Sequence, residues 1–122
     1  MYNNKYVPQS LKNEDRKKQI KSIRDKTIRP KLDSFKSKRS EWVEKFEDKY
    51  GYKITNKKVY KDIITKKGAM EILNKGKGAY FSSGSRPNQT PYSWAYSRLA
   101  SVIMNGPARK VDIDIWNKYK IN

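Results

Sequence analysis

Residues 76–111 read GKGAYFSSGSRPNQTPYSWAYSRLASVIMNGPARKV, and signals for turns and for a helix are denser here than elsewhere in the chain. Thr90 followed by Pro91 predicts a helix start, because a threonine side chain accepts hydrogen bonds from the first turn and proline suits the first helical position. The Asn-Gly-Pro sequence at 105–107 predicts that this helix ends near Met104. We expect its buried side to carry Trp94, Leu99, Val102 and Ile103.

The loop before this helix has the features of an anion-binding site. In the sequence SSGSRPNQT at 82–90, small hydroxyl residues and Gly84 leave backbone N–H groups accessible. The guanidinium of Arg86 matches the geometry of phosphate or carboxylate, and the positive end of the following helix lies next to it. The alternative is that Arg86 and the serines bond to neighbouring backbone carbonyls and hold the loop together.

The region around this loop lacks carboxylates, since no Asp or Glu occurs from Ile72 to Val111. The same window contains six basic residues, which are Lys75, Lys77, Arg86, Arg98, Arg109 and Lys110. We therefore expect this part of the chain to form a surface that holds negative charge.

Glycines suggest interruptions upstream of the loop. Gly76 and Gly78 predict a sharp change of chain direction, followed by a short buried strand at 79–81. Gly68 predicts a break between two short helices, and residues 52–54 suggest a second short strand.

Two further helices are expected in the first half of the chain. Ser10 is the predicted cap of one, with Glu14 and Asp15 in its first turns, where the helix dipole favours them. Its apolar stripe is narrow and consists of Leu11, Ile20 and Ile23. Ser40 is the predicted cap of the other, and Gly51 its stop. The core residues of this second helix are Trp42, Val43, Phe46 and Tyr50.

Composition predicts one small domain. The chain has 122 residues, of which 35% are hydrophobic and 34% charged, so the core must be small. Nine Tyr, three Trp and three Phe can close such a core efficiently. We predict a mainly α fold with one or two short strands, in which residues 1–39 form a basic N-terminal arm and helix and residues 40–122 a compact helical domain.

The formal net charge of +17 indicates an anionic partner. Nucleic acid is the first candidate, an acidic protein surface the second and anionic lipid the third. The alternative is a lysine-rich surface kept for solubility or inherited from an AT-rich genome. No apolar run approaches the length of a membrane span, and residues 1–5 do not resemble a secretory signal, so we expect no membrane partner.

The residue types present argue against most catalytic chemistry. The chain has no Cys and no His, which removes thiolate chemistry, the commonest general base and the commonest metal ligand. Asp112 and Asp114, with Glu71 or Asp62, could gather around Mg²⁺ as in nucleases. More simply, Asp112 caps a terminal helix. We predict no metal, no cofactor and no enzymatic activity.

The residues KGKGAYFSSGSRPNQTPYSWAYSRLASVIMNGPARKVD at 75–112 resemble a small domain of unknown function from tailed phages, notably marine ones, and from giant DNA viruses. The resemblance is close over 76–112 and extends more loosely to YVPQSL, DRKKQIKSI and RPKLDSFKSKRS, hence over most of the chain. Departures are a short spacer between Arg24 and Arg29 and a Glu/Lys-rich helix around Trp42. The resemblance implies a viral setting, in which small basic proteins commonly sit in virions or on genomes, and it implies no catalytic residue.

From these observations we expect a non-catalytic viral protein that binds polyanions, located in the virion or in the host cytoplasm during infection. Its partner is expected to be nucleic acid, DNA rather than RNA. Two alternatives are a minor capsid or cement protein that contacts acidic shell subunits, and a metal-dependent nucleic-acid enzyme. The expected fixed patch consists of Ser83, Ser85, Arg86, Asn88, Arg98, Arg109 and Lys110. The expected adaptable patch consists of Arg16, Lys17, Lys21 and Arg24.

Overall fold

A computed structural model describes residues 6–32, 40–85 and 87–121. In this part of the chain the helices are α1 (Asn13–Arg24), α2 (Glu41–Tyr50), α3 (Val59–Asp62), α4 (Lys66–Ser82), α5 (Pro91–Ile103), α6 (Pro107–Val111) and α7 (Ile113–Tyr119). The β pairing among the described residues is an isolated antiparallel bridge between Ile64 and Lys120. The prediction of a small, mainly α single domain is confirmed.

Helices α4 and α5 form the centre of the fold and pack more extensively on each other than any other pair of helices. Their backbones approach closely at Gly76, where an added Cβ would lie 2.7 Å from the Cα of Ala95. Helices α2, α6 and α7 pack around this pair. The fully buried core side chains include Phe46, Val59, Ile64, Ile72, Leu99 and Val102.

Helix α4 corrects the predictions made from the upstream glycines. It runs without interruption through Gly68, Gly76 and Gly78, and residues 79–81 belong to it rather than to a strand. A glycine in a helix interior costs about 1 kcal/mol relative to alanine. Here the small residue is required by packing, because a Cβ at Gly68 would clash with the side chain of Tyr119. Tertiary contact therefore outweighs the local preference.

The helix ends agree with several predictions. The hydroxyl of Ser40 accepts a hydrogen bond from the Val43 N–H (3.5 Å), and Gly51 ends α2 in the left-handed conformation, with φ of 76°. The hydroxyl of Thr90 accepts from the Ser93 N–H (3.0 Å), and the hydroxyl of Ser93 accepts from the Thr90 N–H (2.9 Å). These predicted starts of α2 and α5 are confirmed.

The predicted end of α5 is confirmed, with Met104 at its C-cap, and Pro107 opens α6 at a position that needs no N–H donor. Two local predictions were wrong. Residue 12, not Ser10, occupies the N-cap position of α1, and its side chain makes no cap hydrogen bond. Residues 52–54 lie in bends and turns instead of a strand, although Ile54 is buried.

A buried arginine fixes the segment after α1 against α4. Arg29 is 4% exposed, and its guanidinium donates to the backbone oxygens of Ser22, Thr27 and Tyr80 while lying 4.5 Å from the centroid of the Tyr80 ring. The Tyr80 hydroxyl accepts from the Arg29 N–H (2.7 Å) and donates to the backbone oxygen of Gln89 (2.8 Å). Burial lowers the pKa of Arg29, and the nearby Tyr80 opposes that change.

Apolar side chains before residue 40 are also buried. Val7, Leu11 and Leu32 are 3%, 4% and 1% exposed. The described part of the N-terminal region is therefore packed against the helices, while its division from the rest of the chain at residue 39 remains a prediction.

Candidate functional site

Helix α1 presents an exposed basic strip. Lys17, Lys21 and Arg24 are spaced by four and three residues, which places them on one face of a helix, and all three are exposed. The buried positions of α1 are Gln19 and Ser22 instead of its isoleucines, which are only half-buried. The helix thus turns polar side chains inward and its cations outward. We call Lys17, Lys21 and Arg24 the α1 strip.

Buried Gln19 attaches α1 to the loop between α4 and α5. Its side-chain amide donates to the backbone oxygens of Tyr6 (2.8 Å) and Ser85 (3.0 Å). Gly84 lies beside this junction with φ of 106°, and a Cβ there would come within 3.3 Å of Ile23. The two regions predicted to bind anions, α1 and the loop at 82–90, are therefore neighbours in the fold although far apart in sequence.

Cations of α1 differ in how far they are engaged within the protein. Nη1 of Arg16 donates to the backbone oxygen of Pro8 (3.0 Å). Arg24 lies 3.4 Å from Asp25, but both side chains are largely exposed and such a pair contributes little. Within the described ranges, Lys17 and Lys21 form neither an ion pair nor a hydrogen bond through their ammonium groups. They are the freest members of the predicted adaptable patch.

The loop at 82–90 uses most of its polar groups internally. Ser85 is fully buried, which disagrees with the prediction that it faces a ligand at the surface. Asn88 has φ of 63°, and its amide accepts from the Leu32 N–H (2.6 Å) and donates to the Leu32 oxygen (3.3 Å). Ser83 is exposed. Arg86, the central residue of the predicted anion site, lies outside the described residues.

Arg98 is held by a buried carboxylate. Its Nε and Nη2 donate to the two carboxylate oxygens of Asp112 at 2.7 and 2.8 Å, and the Asp112 side chain is 0% exposed. Lys75 adds a longer contact of 3.9 Å to the same group. Asp112 comes directly after the carboxylate-free stretch 72–111, and α6 brings it back onto α5. The expectation of an Arg98 free to bind an external anion is corrected, since half of its guanidinium is already paired.

Arg109 completes the end of α5. Its Nε and Nη2 donate to the backbone oxygens of Val102 (2.8 Å) and Ile103 (2.9 Å), and its guanidinium lies 4.5 Å from the centroid of the Trp116 ring. The last carbonyls of a helix lack the partners that the next turn would supply, and the arginine bonds to two of them, in addition to the Asn105 N–H that reaches the Val102 oxygen at 3.4 Å. Arg109 thus serves the fold, contrary to its expected place in an anion-binding patch, whereas Lys110 is exposed.

The carboxylates considered for a metal site are not gathered. Asp112 faces Arg98, while Asp62, Glu71 and Asp114 are exposed. Among the described residues no group of three or more acidic side chains is placed to hold a metal ion. No helix in these ranges has the length and apolar character needed to cross a membrane.

A cavity of about 430 Å³ lies between α2, α4, α5 and α6. Its lining residues include the aromatic Tyr6, Trp42 and Trp94, together with the charged Glu41 and Arg98. This cavity was not predicted from the sequence, because the spacing of Trp42 and Trp94 within their helices predicts core positions for both. In the structure both are only half-buried.

The fold and its surface define a small, strongly basic, mainly α domain in which Arg29, Arg98 and Arg109 bond within the protein, while Arg24 and most described lysines face solvent. The chain belongs to the family of unknown function DUF5824, whose model matches residues 5–117. Neither the curated proteins nor the solved structures contain a match to this chain.

Proposed function

We propose that this protein binds double-stranded DNA without catalysis and largely without regard to sequence, as a component of a virus particle. The observation that carries the proposal is the α1 strip, whose lysines are exposed and unengaged within the described part of the chain. The viral setting is supported by the resemblance of residues 75–112 to phage and giant-virus domains.

Charge and geometry both favour a phosphate backbone as the partner. A net charge of +17 on a small domain repels itself, and an extended polyanion relieves this repulsion. The α1 strip spans about 10 Å at 1.5 Å per residue, while duplex DNA carries one charge per about 1.7 Å of its axis. Several phosphates therefore lie within reach of the strip, and their condensed counterions are released on binding.

The test is the salt dependence of binding to a random-sequence duplex, measured by fluorescence anisotropy between about 50 and 200 mM salt. We expect affinity to fall steeply with salt. The triple variant Lys17→Ala, Lys21→Ala, Arg24→Ala should reduce the slope of log K against log salt by about 3, roughly one for each phosphate contact removed.

A control variant separates the strip from net charge. Lys53→Ala, Lys57→Ala, Lys61→Ala removes three exposed cations from the α3 region, so it changes the charge equally without touching α1. If the two variants reduced the slope of log K against log salt equally, a specific role for α1 would be contradicted. No binding of DNA at low salt would overturn the proposal and favour an acidic capsid surface as the partner.

Packaging is tested separately by mass spectrometry of purified virus particles. A protein bound along the genome should be present in many copies, roughly in proportion to genome length. A small fixed number of copies would instead indicate a structural position in the shell, and absence from the particle would contradict the virion location.

A further inference from the structure

We infer that the cavity between α2, α4, α5 and α6 binds an unpaired guanine base. Because the proposed polyanion is nucleic acid, such a site adds recognition of a base to binding of the backbone. The α1 strip contacts phosphates wherever they occur, whereas the cavity would select a flipped or single-stranded guanine.

The first observation is the unused edge of Arg98. Asp112 occupies the Nε–Nη2 edge of the guanidinium, and Nη1 makes no hydrogen bond to a residue that the structure describes. The remaining donors are the two on Nη1 and one on Nη2, which form a second planar edge. Arg98 lines the cavity, and its orientation is fixed by a carboxylate that is itself fully buried. This edge matches two adjacent acceptors in one plane.

The second observation is the charge around the cavity. The positive charge of Arg98 is balanced by Asp112, which Lys75 also approaches at 3.9 Å, and the acidic residue Glu41 is a further member of the lining. Glu41 lies 3.7 Å from Lys45, and both side chains are more than half exposed, so this pair leaves the carboxylate available. A neutral ligand with hydrogen-bond acceptors and donors suits this site better than a phosphate does.

The third observation is the aromatic lining. Trp94 packs edge-on against Tyr6, with ring centroids 5.8 Å apart, and Nζ of Lys45 lies 4.4 Å from the centroid of the Trp42 ring. Small residues, Ala79, Ser97, Ser101 and Ala108, make up much of the remaining lining. The volume of about 430 Å³ falls in the usual range for small-molecule sites. Base stacking on indole rings is a common source of affinity for unpaired nucleotides.

Guanine is the base whose edges match these groups. Its O6 and N7 are adjacent acceptors and pair bidentately with arginine. Its N1–H and N2 amino groups are adjacent donors, which a carboxylate such as that of Glu41 accepts. Adenine places an amino group where Arg98 requires an acceptor, and the pyrimidines lack the N7 acceptor.

The test uses nucleosides, which carry no phosphate, and two-dimensional ¹H–¹⁵N spectra of the tryptophan indoles. Guanosine should shift the signals of Trp42 and Trp94 and leave Trp116, which lies outside the cavity lining, unchanged. Adenosine and cytidine should bind at least roughly tenfold more weakly than guanosine. The analogue 7-deazaguanosine lacks N7, and inosine lacks the N2 amino group. Each should bind about fivefold more weakly than guanosine.

Substitutions at Glu41 and Arg98 test which of the two side chains contacts each edge of the base. Glu41→Ala should make guanosine and inosine bind equally, whereas Glu44→Ala, an exposed change one turn later in α2, should preserve the difference. Arg98→Met should abolish the preference for guanosine over 7-deazaguanosine. Should that variant fail to fold, the comparison of the two nucleosides on the unaltered protein still tests the Arg98 edge.

The inference is overturned if guanosine binds no more tightly than adenosine, or if its shifts fall on Trp116 instead of the cavity. This result is independent of duplex binding, because the α1 triple variant should bind guanosine as the unaltered protein does. If the unaltered protein bound guanosine but not duplex DNA, only the proposed role of α1 would be contradicted. If the unaltered protein bound duplex DNA but not guanosine, only the inference about the cavity would be contradicted.

Discussion

At the scale of single residues, three arginines have a different task from the lysines of α1. Arg29, Arg98 and Arg109 direct their guanidiniums at backbone carbonyls or at a buried carboxylate. Lys17 and Lys21 remain in solvent. Arginine suits the internal positions because its planar group donates several hydrogen bonds in fixed directions, whereas the ammonium of lysine is compact and strongly hydrated. A count of positive charges in the sequence does not distinguish these tasks.

The Tyr80 hydroxyl gives a direct test of the buried contacts around Arg29. Tyr80→Phe leaves the Arg29 N–H and the Gln89 oxygen without their shared partner, and should lower the free energy of unfolding by about 1–3 kcal/mol. Tyr92→Phe is the control, because Tyr92 is 64% exposed, and should change stability by less than about 0.5 kcal/mol. Urea denaturation of both variants measures the difference. Equal effects would show that the hydroxyl of Tyr80 contributes nothing specific.

At the scale of elements, α4 shows how packing overrides local preference. The helix contains three glycines, which favour a turn or break in isolation. It persists because α5 and α7 pack on it so closely that larger residues do not fit at two of these positions. The third, Gly78, has open space around it.

This contrast predicts opposite effects for one substitution at two positions of one helix. Gly76→Ala places a methyl group 2.7 Å from the Cα of Ala95, and the resulting overpacking should destabilise the protein by about 1–3 kcal/mol. Gly78→Ala meets no atom within 4 Å and should stabilise it by about 0.5–1 kcal/mol through helix propensity. Thermal denaturation followed by circular dichroism compares the two. Destabilisation of equal size at both positions would contradict the packing argument.

At the scale of the whole molecule, excess positive charge opposes the compact state. Ion pairs between described residues join Arg24, Lys45, Lys75 and Arg98 to carboxylates, and all but the Arg98 pair involve exposed or distant groups. Most of the lysines remain in solvent, where they repel one another over distances that salt can screen.

We therefore expect sodium chloride to stabilise the protein without any ligand. Between about 0.01 and 0.15 M, screening shortens the range of repulsion from about 30 to 8 Å. A gain on the order of 1 kcal/mol would raise Tm by roughly 3–6 °C for a domain of this size. The variant with three lysines removed from the α3 region should show a smaller rise, since it carries less charge. A Tm that falls or stays level with salt contradicts this account.

The parts of the fold that depend only on residues close together in the sequence were predictable. The caps at Ser40 and Thr90 and the stop at Gly51 need only local hydrogen bonds and backbone angles, and all three were predicted. The continuity of α4 was missed because it depends on contacts with residues such as Ala95 and Tyr119, which adjoin it only in the folded chain.

The same distinction applies to the candidate sites. The amino-acid sequence alone determined the helical class and the strong positive charge, because composition and the spacing of residues along the chain do not depend on folding. Only the tertiary structure decided that Asp112 pairs with Arg98 and that Trp42 and Trp94 line one cavity. The physical reason is that a charge is neutralised, and a cavity lined, by groups that folding brings together from distant positions.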